Sequence, residues 1–322
     1  MISRRSLITG GMGVLTGVGA AHSQSAYPSK PVRINVPFTP GGAADIVARQ
    51  VGQKLGELWG QAAVVDNKPG AGGAIAVDHV VRSAPDGYNL LVADLGQLCI
   101  APALNPQLTY QSLRDLQPIT PVAAVPLFLA VHPSLPITSV AALIDYVKTH
   151  PGFAYGSAGV GTSHHLSMEL LRVRTGINIT HIPYKGGAQS IPAAIAGEVG
   201  LVVSALGALL PHVKSNKLRL IGVTTMTRSP LAPDVAPVSD LVPGYNVSDI
   251  VGFLAPVQTP ASIVRALHQN IVWVGQQADF SKRLADLGLE AFVSTPSQYS
   301  DLIRATSQVF GRLIKDLNIT AE

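Results

Sequence analysis

Apolar and polar residues alternate strictly in Val32-Arg33-Ile34-Asn35-Val36, the period of a half-buried strand. The alternation stops at Pro37-Phe38-Thr39-Pro40-Gly41-Gly42. A spacing of three and four then takes over, with Ile46/Val47, Val51, Leu55 and Leu58 marking one face of a helix. Ala63-Val64-Val65 predicts a second strand, ended by Asn67-Lys68-Pro69-Gly70-Ala71-Gly72-Gly73. Another helix follows from about Ala74 to Arg82, carrying Ile75, Val77 and Val80/Val81. After the turn Pro85-Asp86-Gly87, Leu90-Leu91-Val92-Ala93 supplies a third strand, completing a β-α-β-α-β run.

The pattern returns further along the chain. Phe153-Ala154-Tyr155 is a strand, Gly156 to Ser163 a glycine-rich loop, and His164 to Arg174 a helix with Leu166, Leu170/Leu171 and Val173 on its apolar face. Ile179 to Pro183, an alanine-rich helix ending at Ala196, Leu201-Val202-Val203 and Leu218 to Val223 close the second set. Crossovers of this kind are right-handed, so each half is expected to form a parallel sheet with helices on both faces. The loops at the carboxyl ends of the strands then gather along one edge, where such sheets bind ligands.

The tail adds a strand, Gly252-Phe253-Leu254-Ala255-Pro256, and several helices. Thr259-Pro260 reads as a cap followed by proline in the first turn, and Thr295-Pro296-Ser297-Gln298 as a capping box. Crossings between halves are expected near Val122–Leu129 and Val251–Ala255, with the tail packing back on the first half. The expected fold class is α/β, two doubly wound lobes joined by two crossover strands. The expected limits are a signal peptide over 1–26, a discontinuous first domain over 27–124 plus 252–322, and a second over 125–251.

The opening residues carry an address. Ser3-Arg4-Arg5-Ser6-Leu7 precedes an uncharged run ending near Ala21, with small residues at Ser23, Ser25 and Ala26. This is the order of a secretory signal, and the paired arginines fit a twin-arginine variant. Cleavage removes two of the positive charges behind the formal +4. A second long stretch without acids or bases, between Asp115 and Asp145, is broken by Pro118, Pro121, Pro126, Pro133 and Pro136, so no continuous helix spans a bilayer there. With 47% hydrophobic and 13% charged residues the chain has ample surface to bury, which excludes disorder. No cluster of Lys and Arg accompanies the basic balance, which argues against nucleic acid. Cys99 is the one cysteine, so an intramolecular disulfide and a CxxC zinc site are excluded; between Leu98 and Ile100 it reads as a small buried group.

Candidate chemistry gathers in three glycine-rich loops, each between a strand and a helix: Gly41-Gly42-Ala43-Ala44, Gly70 to Gly73, and Gly159-Val160-Gly161-Thr162. Unpaired amides at a helix start, with the positive end of its dipole, favour an anion. Thr39, Ser157, Thr162 and Ser163 can add hydroxyl donors. The same glycines also permit tight turns and close helix packing. A P-loop and GxGxxG are both missing, so a carboxylate suits these donors better than a nucleotide. His164-His165 beside Ser157 and Ser163 invites a hydrolase reading, yet neither GxSxG nor HExxH is present, and adjacent helical residues point in divergent directions. Asp45 is expected to satisfy loop amides, Lys185 is the one cation in a candidate loop, and Asp94 would repel an anion if it faced the cleft, or would ask for a donor group on the ligand.

In order and spacing, these stretches resemble the Bug/TctC family, the extracytoplasmic solute receptors of tripartite tricarboxylate transporters. The resemblance is carried by Tyr27-Pro28-Ser29-Lys30-Pro31, by Val36 to Asp45, by Asn67 to Gly73 and by Ala84-Pro85-Asp86-Gly87-Tyr88. In the second half it is carried by Tyr155 to Thr162, His165-Leu166 and His181-Ile182-Pro183-Tyr184-Lys185-Gly186. It implies a periplasmic clamp of the type II binding-protein kind that closes on a small carboxylate (a di- or tricarboxylate, or an aromatic one) and hands it to membrane subunits. It also implies a monomer that needs no cofactor or metal and catalyses no reaction. Carried over, the ligand-binding positions are Phe38, Thr39, Gly41, Gly42, Ala43, Gly72, Ser157, Gly159, Gly161 and Thr162, with His165 behind them. The chain departs from the family after Leu201-Val202-Val203, where Ser204-Ala205-Leu206-Gly207 replaces an aspartate and a Leu-Pro pair, and at Gly200, where the family is usually acidic. With Ser204 taken as lining the cleft, an amine-bearing ligand is the less expected one. The alternatives are a receptor reporting to a membrane signalling partner, and a secreted hydrolase using Ser157 and His165.

Overall fold

The computed structural model describes residues 27–320; the signal-peptide reading of 1–26 lies outside the described residues. In chain order the strands are β1 (Val32–Val36), β2 (Ala63–Asn67), β3 (Asn89–Ala93), β4 (Leu116–Val131), β5 (Ala154–Ser157), β6 (Thr180–Pro183), β7 (Leu201–Ala205), β8 (Arg219–Val223), β9 (Ser248–Pro256) and β10 (Glu290–Ala291). The α-helices are α1 (Ala43–Trp59), α2 (Ala74–Val81), α3 (Ala101–Leu104), α4 (Ser112–Asp115), α5 (Val140–Thr149), α6 (Ser163–Thr175), α7 (Gly187–Ala196), α8 (Leu206–Lys214), α9 (Ala261–Gly275), α10 (Ala278–Asp286) and α11 (Pro296–Asp316).

The alternation in β1 is explained by its packing. Val32, Ile34 and Val36 are fully buried against Val47, Val51 and Leu55 of α1, and each such side chain contributes about 1.5–3 kcal/mol on burial. The second lobe repeats the arrangement, with Tyr155 and Val203 packed against Leu166, Leu170 and Leu171 of α6.

The strands run in the order β2-β1-β3-β9-β4-β7-β5-β6, with β8 and β10 also paired to β4. Parallel pairing joins β1 to β2 and β3, and β5 to β6 and β7. The expectation of a purely parallel sheet in each half is corrected here. β9 is antiparallel to β3 and β4, and β4 is antiparallel to β7 and β8. The reason is topological: the chain leaves the first lobe on β4 and returns on β9, so two neighbouring strands must run in opposite directions. β4 pairs with β9 up to Pro126 and with β7 from Leu127, while β9 begins at Ser248. The prolines that break this stretch as a helix are tolerated in a strand because the ladder shifts register between Pro118 and Thr120 and between Pro121 and Ala123, where backbone donors are missing.

Two further expectations change. Thr259 is not the cap of α9: Pro260 occupies that position, its carbonyl accepting from Ile263 and Val264, and the buried Thr259 hydroxyl has no partner among the described residues. Nor does the whole tail return to the first lobe. Tyr299 and Ile303 of α11 pack beside β3 and β9, but Phe310, Leu313 and Ile314 join the second lobe's core. The capping box at Thr295 and Gln298 is present, starting α11. Cys99 is buried, its thiol against the Ile303 carbonyl. Among the described residues no helix is long and apolar enough to cross a membrane.

Candidate functional site

The carboxyl ends of β1, β2 and β3 face the loop after β5 across a cleft of about 540 Å³. Its first-lobe wall is Pro37, Phe38, Thr39, Pro69, Gly70, Gly72 and Gly73, then Asp94, Gly96, Gln97, Ile100, Ala101 and Leu104. Its second-lobe wall is Ala158, Gly161, Thr162, Ser163 and His164, and Asp249 enters from β9. Of the sequence-predicted residues, Phe38, Thr39, Gly72, Gly161 and Thr162 therefore line one space. A cavity of 240 Å³, less than half that volume, lies elsewhere, by Met226, Phe292 and Phe310, and holds none of the glycine-rich loops.

Gly41, Gly42, Ala43, Ser157, Gly159, His165 and Ser204 do not line the cleft. Gly41 and Gly42 are exposed, and the Gly41 amide donates to Asp45 Oδ2 at 2.9 Å. Burial works against the charge of Asp45, yet bonds from Arg49, Gly41 and Asn67 hold its pKa below the ordinary value. Asp45 thus satisfies a loop amide, as its place in the first turn of α1 suggests. Ser157 is buried with its hydroxyl 2.6 Å from His181 Nε2, and it accepts from the Gly159 amide at 3.0 Å. It makes no bond to His165, so the Ser157–His165 pair needed for a hydrolase is not assembled. Ser204 is buried too, packed so closely that a β-carbon at Gly187 would lie 2.9 Å from its hydroxyl. The loop it begins does not line the cleft, and its departure from the family pattern therefore says nothing about an amine. Lys185 is exposed, outside the cleft wall.

His165 acts from behind. Its Nδ1 accepts the Gly161 amide at 3.1 Å, and its ring stacks on His181 with centroids 4.0 Å apart. An accepting Nδ1 carries no proton, and burial, helped by the Arg172 charge, pushes His165 down to about 4. His181 is likewise pushed down to about 4, by burial and then by His165. Beneath them Glu169 accepts from the Tyr155 hydroxyl at 3.1 Å and from Arg172 at 2.7 Å. A buried polar stack thus fixes the loop from Ser157 to Thr162. Thr162 caps α6 by accepting the His165 amide. The loop amides of Gly41, Gly159 and Gly161 are all engaged by the protein itself, which removes them from the expected anion-holding set.

Sequence reasoning missed Gln97 and Asp249, weighed His164 only for a hydrolase, and saw Asp94 as an obstacle to an anion or a demand for a donor group on the ligand. Asp94 follows β3, where Ala93 pairs with Gly252, and Asp249 lies three residues before Gly252, so the register brings both carboxyls to one end of the sheet. Asp94 accepts from the Gly96 amide at 2.8 Å, and Asp249 accepts from the Ser163 hydroxyl at 2.5 Å. Burial and the charge of Asp249 push Asp94 up to about 7. Asp249 is also raised, by burial, against the opposing pull of Ser163 and His164. His164 is lowered by burial. Among the described residues the cleft wall includes no lysine or arginine.

Two α/β lobes tied by an antiparallel strand pair, with loops from both closing on one cleft, make up the architecture of a two-lobed solute-binding protein. The chain belongs to the family described as the Tripartite tricarboxylate transporter family receptor, whose sequence model matches residues 47–319. It is 33% identical to Protein BugT of Bordetella pertussis over 93% of both chains. It is also similar to the solved structure of R. palustris Rpa4515 with adipate (31% identity, 91% of this chain and 99% of that one, TM-score 0.78). A third relative is MatC from Rhodopseudomonas palustris with bound malate (28% identity, 89% and 100% coverage, TM-score 0.73).

Proposed function

We propose that this chain captures a small organic acid between its lobes in the periplasm and delivers it to the membrane subunits of a tripartite tricarboxylate transporter. The observation that carries the reading is the cleft itself, walled by Phe38, Thr39 and Gly72 from one lobe and by Gly161 and Thr162 from the other. Its chain neighbours solved with adipate and malate support a carboxylate as one part of the ligand. The lobes meet where β4 changes partner at Pro126/Leu127 and where β9 begins at Ser248. A ligand touching both walls favours closure through contacts that the open form lacks. Gly41, Gly42, Ala43, Ser157, Gly159, His165 and Ser204 shape the walls and do not touch the guest.

The test is a thermal-shift and calorimetric screen of the mature chain against mono-, di- and tricarboxylates and zwitterionic acids. Binding of at least one class, lost in Gly161→Leu, supports the reading. At Gly161 φ is +71°, and a β-carbon would sit 2.3 Å from Leu104 Cδ1, so the substitution disturbs both the loop and the contact between walls. A screen in which no acid binds refutes it, and ester turnover abolished in Ser157→Ala would replace it with the hydrolase.

A further inference from the structure

The polar groups on the cleft wall have a consequence for the kind of acid that fits. Asp94 is met by the backbone amides of Gly96 and Gln97, and Asp249 by the Ser163 hydroxyl; among the described residues no side-chain donor meets Asp94 and none but Ser163 meets Asp249. Among the described residues the wall has no lysine or arginine to neutralise them, and burial lowers the pKa of His164 against the pull of Asp249. A dicarboxylate entering here would add two negative charges to a site that already holds an acidic pair. A second feature lies between Asp94 and the glycine loop. Gln97 is 6% exposed and lines the same cleft. Its Oε1 accepts the Asp94 amide at 3.2 Å, which fixes the side-chain orientation and leaves Nε2 as a donor without a protein partner among the described residues. The side chain lies along the glycine loop, since a β-carbon at Gly73 would be 2.7 Å from Gln97 Cγ.

We infer that the ligand is a zwitterion: a carboxylate received by Gln97 Nε2 and the Gly70–Gly73 loop, and a protonated amine received by the carboxyl oxygens of Asp94 and Asp249. This rests on the solute-binding reading and narrows it. The ammonium offsets the repulsion between two carboxyls that line one cleft. The chemistry is that of an amino acid or ω-amino acid, not of a di- or tricarboxylate.

Matched ligand pairs test this, each exchanging one carboxylate for an ammonium at equal chain length. Succinate, glutarate and adipate are set against 3-aminopropanoate, 4-aminobutanoate and 5-aminopentanoate by calorimetry at neutral pH. The expected result is at least a tenfold preference for the amine in the best-fitting pair, erased or reversed in Asp94→Asn/Asp249→Asn. Should that double variant not fold, the wild-type pH profile reads the same groups. Amine binding strengthens as pH rises through about 7 and Asp94 loses its proton, while diacid binding weakens. The titratable groups around the pair are His164 on α6, and Cys99 and Tyr299 behind the sheet, both of the latter held neutral by burial. Diacids that bind as well as or better than their amine partners, or a preference that survives the double variant, overturn the zwitterion and leave the carboxylate-receptor reading intact. Binding of neither series, together with a blank acid screen, brings down both.

Discussion

Replacing Gly207 by alanine adds one methyl group where the lobes touch backbone to backbone. A β-carbon there would lie 2.3 Å from the Leu287 carbonyl oxygen and 3.0 Å from its carbon, with the Gly288 nitrogen at 3.7 Å. Carbon and oxygen meet comfortably at about 3.3 Å, so roughly 1 Å of relief is needed. No flexible side-chain tip can supply it, because the obstacle is main chain. The start of α8 must move away from the turn after α10, close to where Ala205 pairs with Leu127 and Glu290 with Ala124. Overpacking of this kind costs about 1–3 kcal/mol, and the helix preference of alanine over glycine returns about 0.5–1 kcal/mol. A net loss of about 1–2 kcal/mol is expected. Gly311 on α11 is the control, since a β-carbon there meets nothing within 4 Å, and Gly311→Ala should stabilise slightly. Urea unfolding of both variants reads the difference as midpoint at unchanged slope. If Gly207→Ala is as stable as Gly311→Ala, the lobes do not rest on this contact in solution.

Removing the ring behind the second-lobe loop should cost stability and binding together. His165→Ala leaves the buried Gly161 amide without an acceptor, a loss of about 1–3 kcal/mol measurable by denaturation, and ligand affinity falls with it; unchanged values for both would refute the loop-holding role. The two stacked histidines also set an acid limit. Both titrate near pH 4 in the folded chain, below the ordinary value of 6.5, so between those values the unfolded chain binds more protons. Their contribution is complete above about pH 6.5 and is lost as pH falls toward about 4. Urea midpoints across this window should decline, and the decline should flatten in His165→Gln/His181→Gln; equal slopes in both proteins would contradict the assignment. Gly161→Leu should abolish ligand-induced thermal shifts while leaving the far-ultraviolet circular dichroism unchanged, and retained shifts would move the site away from this loop.

How legible the chain was depends on how each residue is buried. β1 shows its alternation because only alternate side chains enter a core, and α1 shows its stripe for the same reason. β4 is buried along nearly its whole length and interrupted by Pro118, Pro121 and Pro126, so no period survives and its antiparallel course has no local signal. The glycine loops pointed to the cleft because strained backbone at Gly72 (φ +63°) and Gly161 (φ +71°) excludes other residues. That the amides of Gly41, Gly159 and Gly161 are answered by Asp45, Ser157 and His165 was only partly visible, since such side chains serve equally well in other roles. Asp249 stands far from Asp94 in sequence, and only the return of the chain on β9 unites them.

The α11 helix gives the clamp a property that its two crossing strands do not. One end is embedded with Tyr299 and Ile303 in the first lobe and the other with Phe310, Leu313 and Ile314 in the second, and its 21 residues make a stiff rod of about 31 Å. A bar seated in both jaws opposes their sliding along its length far more than rocking about its own axis. On the proposed clamp mechanism, gape would be confined to that rocking, and the jaws would meet in one register.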